Sequence, residues 1–284
     1  MEEKEKLALV IEGGGFKSVF SAGVLDTFLM NKFNPFDIYI GVSSGAMCLS
    51  YYVASQYKAY FSLSKEVSVN EKFLSYRHAL SEQGYMDLNF LSKYAKKHNP
   101  IDLQQIKEST ENKQLYIVLT NLENGEAVYL EPNKRNYYKC LQATSSLPFF
   151  TKGSCEINGV NFMDGAWSDP IPAKSAADFG ATKIIVIRPN PLGYKLNGLS
   201  YLGLAAGYWW KNNPKVSDNF FKEGNKYNEA VDFLTEKHKN LQIEQICPDN
   251  FLRSGVVGTK IEDLIQDYHC GLEKGLDFLN TNFL

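Results

Sequence analysis

Gly41-Val42-Ser43-Ser44-Gly45 joins two segments of different periodicity, and no other stretch constrains the chain so tightly. Before it, Asp37-Ile38-Tyr39-Ile40 reads as a buried strand. After it, the run from Ser44 to Ala54 reads as a helix. The pentapeptide fits G-x-S-x-G, a sharp strand-to-helix turn that pushes the hydroxyl of its central serine out of the sheet. Gly41 and Gly45 suit such a turn because it leaves no room for branched neighbours and asks for unusual dihedral angles. The helix behind Ser43 adds partial positive charge, which favours an alkoxide or an acyl oxyanion. The stretch is therefore either a close-packed turn or a nucleophile elbow.

A second glycine cluster weighs on that choice. Leu7-Ala8-Leu9-Val10-Ile11 is wholly apolar, as expected of a central parallel strand. It runs into Glu12-Gly13-Gly14-Gly15-Phe16-Lys17-Ser18 and then into an apolar-periodic helix from Val19 to Leu29. Three glycines at a helix N-terminus leave backbone N–H groups uncovered, which makes a cradle for an anion. The anion is either a nucleotide phosphate or a tetrahedral oxyanion. A dinucleotide fingerprint requires glycine where this chain has Ser18, and no Gly-Lys-Ser/Thr phosphate loop is present. Beside a nucleophilic serine, an oxyanion hole is the better use of these donors.

A third element is Asn161-Phe162-Met163-Asp164-Gly165-Ala166, which follows an Asn158-Gly159 hairpin signal. Asp164 then falls at a strand end, beside a glycine that permits close approach. A serine hydroxyl needs a base to take its proton. The four histidines, His78, His98, His238 and His269, all lie outside any glycine-bounded strand end. His78 and His98 sit in polar helical stretches and His269 in a late amphipathic helix. A Ser43–Asp164 dyad is chemically admissible; an ordinary turn aspartate is the plainer reading of Asp164 alone.

In this order the three motifs resemble the patatin-like phospholipase family. That family carries a D/E-G-G-G-x-R/K-G loop, then G-x-S-x-G, then D-G-A or D-G-G. Here Glu12 to Ser18, Gly41 to Gly45 and Asp164-Gly165-Ala166 stand in those places. Ala143-Thr144-Ser145-Ser146-Leu147-Pro148 resembles the family's A-S-x-A-x-P segment. Trp167-Ser168-Asp169-Pro170-Ile171-Pro172 is similar to its post-aspartate stretch. The resemblance covers roughly residues 6–190. It implies an α/β fold with a central, mainly parallel sheet flanked by helices. It also implies Ser43 as nucleophile, Asp164 as base, and amides of the Gly13-Gly14-Gly15 loop, Gly14 and Gly15 above all, as the oxyanion hole. The implied substrate is a phospholipid, a lysophospholipid or a simpler acyl ester, hydrolysed without cofactor or metal. Two residues depart from the pattern. Lys17 stands for the commoner arginine, and the two are not equivalent where a bidentate contact is needed. Ser18 stands for the last glycine and is expected to cap the following helix through its hydroxyl.

The rest of the chain sets the frame. Its 284 residues suffice for one large α/β domain, expected as a catalytic core over 6–190 and a mostly helical part over 191–284 packed on it. A net charge of −2 gives no basic field for nucleic acid. Five cysteines without a C-x-x-C pair suit free thiols and no metal site. The charged start and the lack of about 18 uninterrupted apolar residues lead to the expectation of a soluble, cytoplasmic enzyme. Residues 55–110 read as polar and helical, either shaping a substrate mouth or serving as scaffold. Further strands are expected at Leu115–Thr120, at Ala127–Leu130 after an Asn124-Gly125 turn, at Lys183–Ile187 and at Leu241–Ile246. The aromatic segment from Leu199 to Trp210 is either a lip in transient contact with acyl chains or a membrane interface, or a core-packing helix. Two other functions stand beside hydrolysis: a catalytically weak lipid-binding or interaction module of the same fold, and a nucleotide-binding protein.

Overall fold

A computed structural model describes residues 5–75, 77 and 84–283. The chain alternates strands and helices from its start. β1 (Leu7–Ile11), α1 (Val19–Met30), β2 (Ile38–Val42) and α2 (Ser44–Val53) are followed by α3 (Ala59–Ser68), α4 (Leu88–His98) and α5 (Leu103–Ser109). β3 (Gln114–Asn121), β4 (Ala127–Leu130), α6 (Tyr137–Thr144), β5 (Cys155–Ile157), β6 (Val160–Asp164) and α7 (Ala173–Asp178) come next. The chain ends with β7 (Lys183–Ile187), α8 (Tyr201–Trp209), α9 (Pro214–Phe221), α10 (Glu223–Thr235), β8 (Gln242–Ile246) and α11 (Ile261–Asn282). The strands form one sheet in the order β5-β6-β3-β2-β1-β7-β8, with β4 paired to β3. β3, β2, β1, β7 and β8 run parallel, while β4, β5 and β6 are antiparallel to their neighbours. This is the expected mainly parallel sheet, and β8 adds the strand foreseen near 241–246.

Residue alternation sorts the two faces of the sheet. Leu9, Ile11, Tyr39, Ile117 and Ile185 point to the side covered by α1, α2 and α11, whereas Ala8, Val10, Ile38, Val118 and Ile184 point to the side covered by α7 and α10. Successive side chains of a strand face opposite ways, so a strand covered on both sides must be apolar throughout. α1 is buried from Val19 to Phe28 because it lies between the sheet and α11. That contact depends on missing side chains. A Cβ on Gly23 would sit 2.2 Å from the Tyr268 carbonyl oxygen, and one on Gly271 would sit 2.0 Å from that of Phe20. The close approach lets Thr27 donate to the Leu272 carbonyl at 3.0 Å and Tyr268 to Asp26 at 2.7 Å.

The pairing around β3 determines where chemistry can occur. Ile117 and Val118 pair with β2 on one side and with β4 on the other. Leu119 and Thr120 pair with β4 and with β6. A strand has two edges, so β2 and β6 must lie along the same edge of β3. β2 reaches Val118 from one direction, and antiparallel β6 reaches Leu119 from the other. Their C-terminal ends, Val42 and Asp164, therefore meet.

Gly271→Ala should separate α11 from α1. We expect a loss of about 1–3 kcal/mol in urea-denaturation stability, the usual scale of overpacking. An unchanged midpoint would show that the seam yields without strain.

Candidate active site

Ser43 leaves the end of β2 with φ 54° and ψ −133°, a sparsely populated conformation for a residue bearing a Cβ. Neighbouring contacts hold it there. Its amide donates to Thr144 Oγ1 at 2.8 Å, and that hydroxyl donates to the Val118 carbonyl at 2.6 Å. A Cβ on Gly41 would lie 2.5 Å from Ala46 Cα, and one on Gly45 would lie 2.6 Å from the Glu12 carbonyl. The small flanking residues thus let α2 start directly against the end of β1.

Asp164 ends β6 and is 1% exposed. Ser43 Oγ donates to its Oδ2 at 2.6 Å, and the Ala166 amide donates to its Oδ1 at 2.9 Å. Burial raises the carboxyl from its ordinary value near 3.8 to about 7, against the opposing pull of the Ser43 hydroxyl and the Ala166 amide. No cation figures among the causes of this shift. A Cβ on Gly165 would lie 2.3 Å from the Val118 carbonyl, so only glycine lets the chain turn so closely past β3.

The glycine loop lies against Ser43. A Cβ on Gly13 would lie 2.7 Å from Ser43 Cβ. The Gly14 amide donates to Ser44 Oγ at 3.1 Å. Gly15 takes φ 59°, and a Cβ there would come within 1.9 Å of the Val256 carbonyl. The Gly13 and Gly15 amides make no hydrogen bond to another described residue. Ser18 differs from expectation. Its hydroxyl lies 2.7 Å from Ser44 Oγ and makes no capping bond to α1, because the start of α2 is within its reach. Lys17 Nζ reaches Asn190 Oδ1 at 3.5 Å.

The root of the loop is held by residues that the sequence reading did not single out. Arg188 is fully buried at the end of β7, and its Nε meets Glu12 Oε2 at 2.9 Å. Its other nitrogens donate to Gln245 and to the Tyr227 hydroxyl. Tyr227 and Asn190 donate in turn to Glu12 Oε1 at 2.8 and 3.1 Å. One signal was available: a lone arginine ending the apolar run Ile184–Ile187, with an acid ending Leu7–Ile11. Thr144 and Val256 carried no such signal.

Two cavities, open to solvent, meet at Ser43. One is walled by α2, α3 and α4 through Met47, Leu63 and Leu91. Residues 55–110 thus contribute a wall of this cavity. The other, wider one is lined by the glycine loop, Asp164, Trp167, Leu202 and Tyr227. His98 and His269 are exposed, and His238 Nε2 lies 2.8 Å from the Phe233 carbonyl. His78 lies outside the described residues. Among the described residues no histidine bonds Ser43, and no group of three or more His, Cys, Asp or Glu is placed to hold a metal. No described helix is long and apolar enough to cross a membrane.

Comparison with known proteins agrees with this arrangement of elements. The family model for patatin-like phospholipase matches residues 9–177, and one for a domain of unknown function, DUF6363, matches residues 213–283. Uncharacterized protein YjjU of Escherichia coli K12 is 28% identical over 97% of this chain and 78% of its own length. The crystal structure of VipD from Legionella pneumophila superposes with a TM-score of 0.53 over 98% of this chain and 67% of that one, at 12% identity, a likeness of fold. With more than half of its length matched by the family model, the chain belongs to the patatin-like phospholipase family, a family of lipid acyl hydrolases.

Proposed function

We propose that the protein hydrolyses acyl esters of lipids, with Ser43 as nucleophile and Asp164 as its base. The observation that carries this reading is the 2.6 Å hydrogen bond from the Ser43 hydroxyl to a buried carboxylate. That is the geometry a general base needs before attack. Asp164 takes the Ser43 proton as Oγ attacks the ester carbonyl. The proton then passes to the departing alcohol as the carbon–oxygen bond breaks. Asp164 next takes a proton from water, which attacks the acyl-serine, and returns it to Ser43 Oγ as the acyl–oxygen bond breaks and the fatty acid leaves. Burial makes Asp164 a stronger base than a solvated aspartate, which offsets part of its disadvantage against imidazole.

Amides of the glycine loop supply the oxyanion hole in this proposal. Gly15 N–H has no protein acceptor among the described residues. Gly14 N–H is held by Ser44 Oγ, which has Ser18 Oγ as a second partner at 2.7 Å and can release the amide to a developing oxyanion. Lys17, bonded to Asn190, acts as an anchor of the loop. The acyl chain lies in the apolar cavity beside Met47, Leu63 and Leu91, and the alcohol portion leaves through the wider one. The twin cavities favour a two-sided ester over a nucleotide.

Fluorophosphonate should label Ser43, identified by mass spectrometry of the modified peptide. Ser43→Ala should fold normally and lose at least about two orders of magnitude in esterase activity. A variant keeping most activity sinks the assignment.

The base must be ionised, so kcat/KM should rise with pH through about 7. A flat profile from pH 5 to 8 would exclude Asp164 as the titrating base.

The same carboxyl carries a stability signature. Its folded value lies above its unfolded value near 3.8, so the folded state binds the proton more tightly. Its stabilising contribution is complete at low pH and is lost as pH rises from about 4 to about 7. Asp164→Asn lacks this loss. Its melting temperature should draw ahead of the wild type across that window and hold a constant lead above it.

A further inference from the structure

α8 is built the wrong way round for a helix that packs into a core. Its nine residues carry no charge, yet the buried ones are Gly203, Ala206 and Gly207, the smallest. The large ones face solvent: Tyr201 is 94% exposed, Tyr208 65% and Trp209 73%. Burying a large apolar side chain is favourable, so this inversion needs a cause. The cause lies in the glycines. A Cβ on Gly207 would sit 2.6 Å from the Phe221 ring, and one on Gly203 would sit 3.0 Å from the Phe220 carbonyl. α8 touches α9 through a seam of missing side chains, and rotating the helix to bury its aromatics would destroy that contact. At 100° per residue, positions 201, 204, 205, 208 and 209 cover a stripe roughly 140° wide. Phe149 extends it, with its ring 6.0 Å from that of Trp209.

The stripe borders the mouth of the site. Ser200 and Leu202, at the start of α8, line the wider cavity, as do Leu147 and Phe150 on either side of Phe149. Charges of both signs lie around α8: Lys195, Lys211 and Lys215 are joined by Asp218, which pairs with Lys222, and by Glu223, which accepts from Ser200 Oγ at 2.6 Å. Lys195 is paired with Asp232, whereas Lys211, two residues beyond Trp209, is exposed. Trp and Tyr seat favourably at the headgroup level of a bilayer, and exposed lysines beside them are attracted to anionic lipid.

We propose that the outer face of α8, with Phe149, docks the protein on an anionic lipid bilayer, so that the mouth opens onto the membrane surface. The inference rests on the acyl-hydrolase reading of that mouth. A bilayer fits better than a folded partner because the stripe is one outward helix face of aromatic rings, without a carboxylate and with an exposed lysine at its end. Tyr208 and Trp209 enter the headgroup layer, Lys211 lies against phosphates, and a lipid passes from the bilayer over Leu202 toward Ser43.

The test is vesicle flotation of the full chain carrying Ser43→Ala, which prevents turnover. Vesicles of phosphatidylcholine with phosphatidylglycerol should carry the protein, and vesicles of phosphatidylcholine alone should carry less. Adding Tyr208→Ser and Trp209→Ser should weaken binding by about tenfold or more. In the chain with Ser43 intact, the same double substitution should leave fluorophosphonate labelling and hydrolysis of a soluble short-chain ester within about twofold, while hydrolysis of vesicle lipid falls. Failure to float, or equal flotation with and without the aromatics, overturns the proposal. So does a dimer that dissociates in the double variant without any vesicle binding, because the stripe would then seat a second copy. Loss of labelling at Ser43 in the wild type would instead refute the hydrolase reading and leave the flotation result standing.

Discussion

One edge of β3 governs this molecule. β2 runs along it as far as Val118, and β6 comes from the opposite direction as far as Leu119. Two strands of opposite sense cannot continue past each other on a single edge, so both must turn away where they meet. Ser43 and Gly165 are those turns. The 2.6 Å contact between Ser43 and Asp164 follows from register, although the two are 121 positions apart in the chain. The strain at Ser43 has the same origin. Thr144 ties the Ser43 amide back to Val118, so the backbone is held at both sides of the meeting point.

The glycine loop needs support of another kind. A loop that presents free amides cannot also satisfy itself through them, so its fixation must come from elsewhere. Glu12 provides the root, gripped by Arg188, Tyr227 and Asn190. Gly15 is wedged against Val256 on the far side. These partners come from the last third of the chain. A buried ion pair contributes little net stability once desolvation is counted, but removing one partner is costly. Its value here is positional: it couples the end of β1 to the end of β7 and to α10. The region beyond the patatin-like match therefore helps to hold the loop.

The electrostatics of the site follow from enclosure. Asp164 faces a serine hydroxyl and one amide and, among the described residues, no cation that lowers its proton affinity. The fold thus keeps a carboxylate in a setting that costs stability at neutral pH, and places it where a serine proton can be taken. In the proposed reaction, the two cavities on either side of Ser43 receive the two halves of an ester. Their walls, both mainly apolar, come from different parts of the chain, the α3–α4 region and the α8–α10 region.

The sequence by itself determined the elements and the chemical groups. Apolar runs marked β1, β2, β3 and β7, and Asn124-Gly125 and Asn158-Gly159 marked the hairpins, because strand burial and positive φ are local demands that leave local traces. Ser43, Asp164 and the Gly13–Gly15 loop were legible for the same reason: each needs small neighbours at fixed offsets. What only the tertiary structure decided were relations between distant segments. Ser18 bonds Ser44 instead of capping α1, since the start of α2 is packed against it. Arg188 and Tyr227 reach Glu12 across parallel strands whose order no local pattern encodes. The proton affinity of Asp164 depends on complete burial, and the outward aromatics of α8 depend on a glycine seam with α9. These are properties of packing, in which a residue's environment comes from chain that the local sequence does not contain.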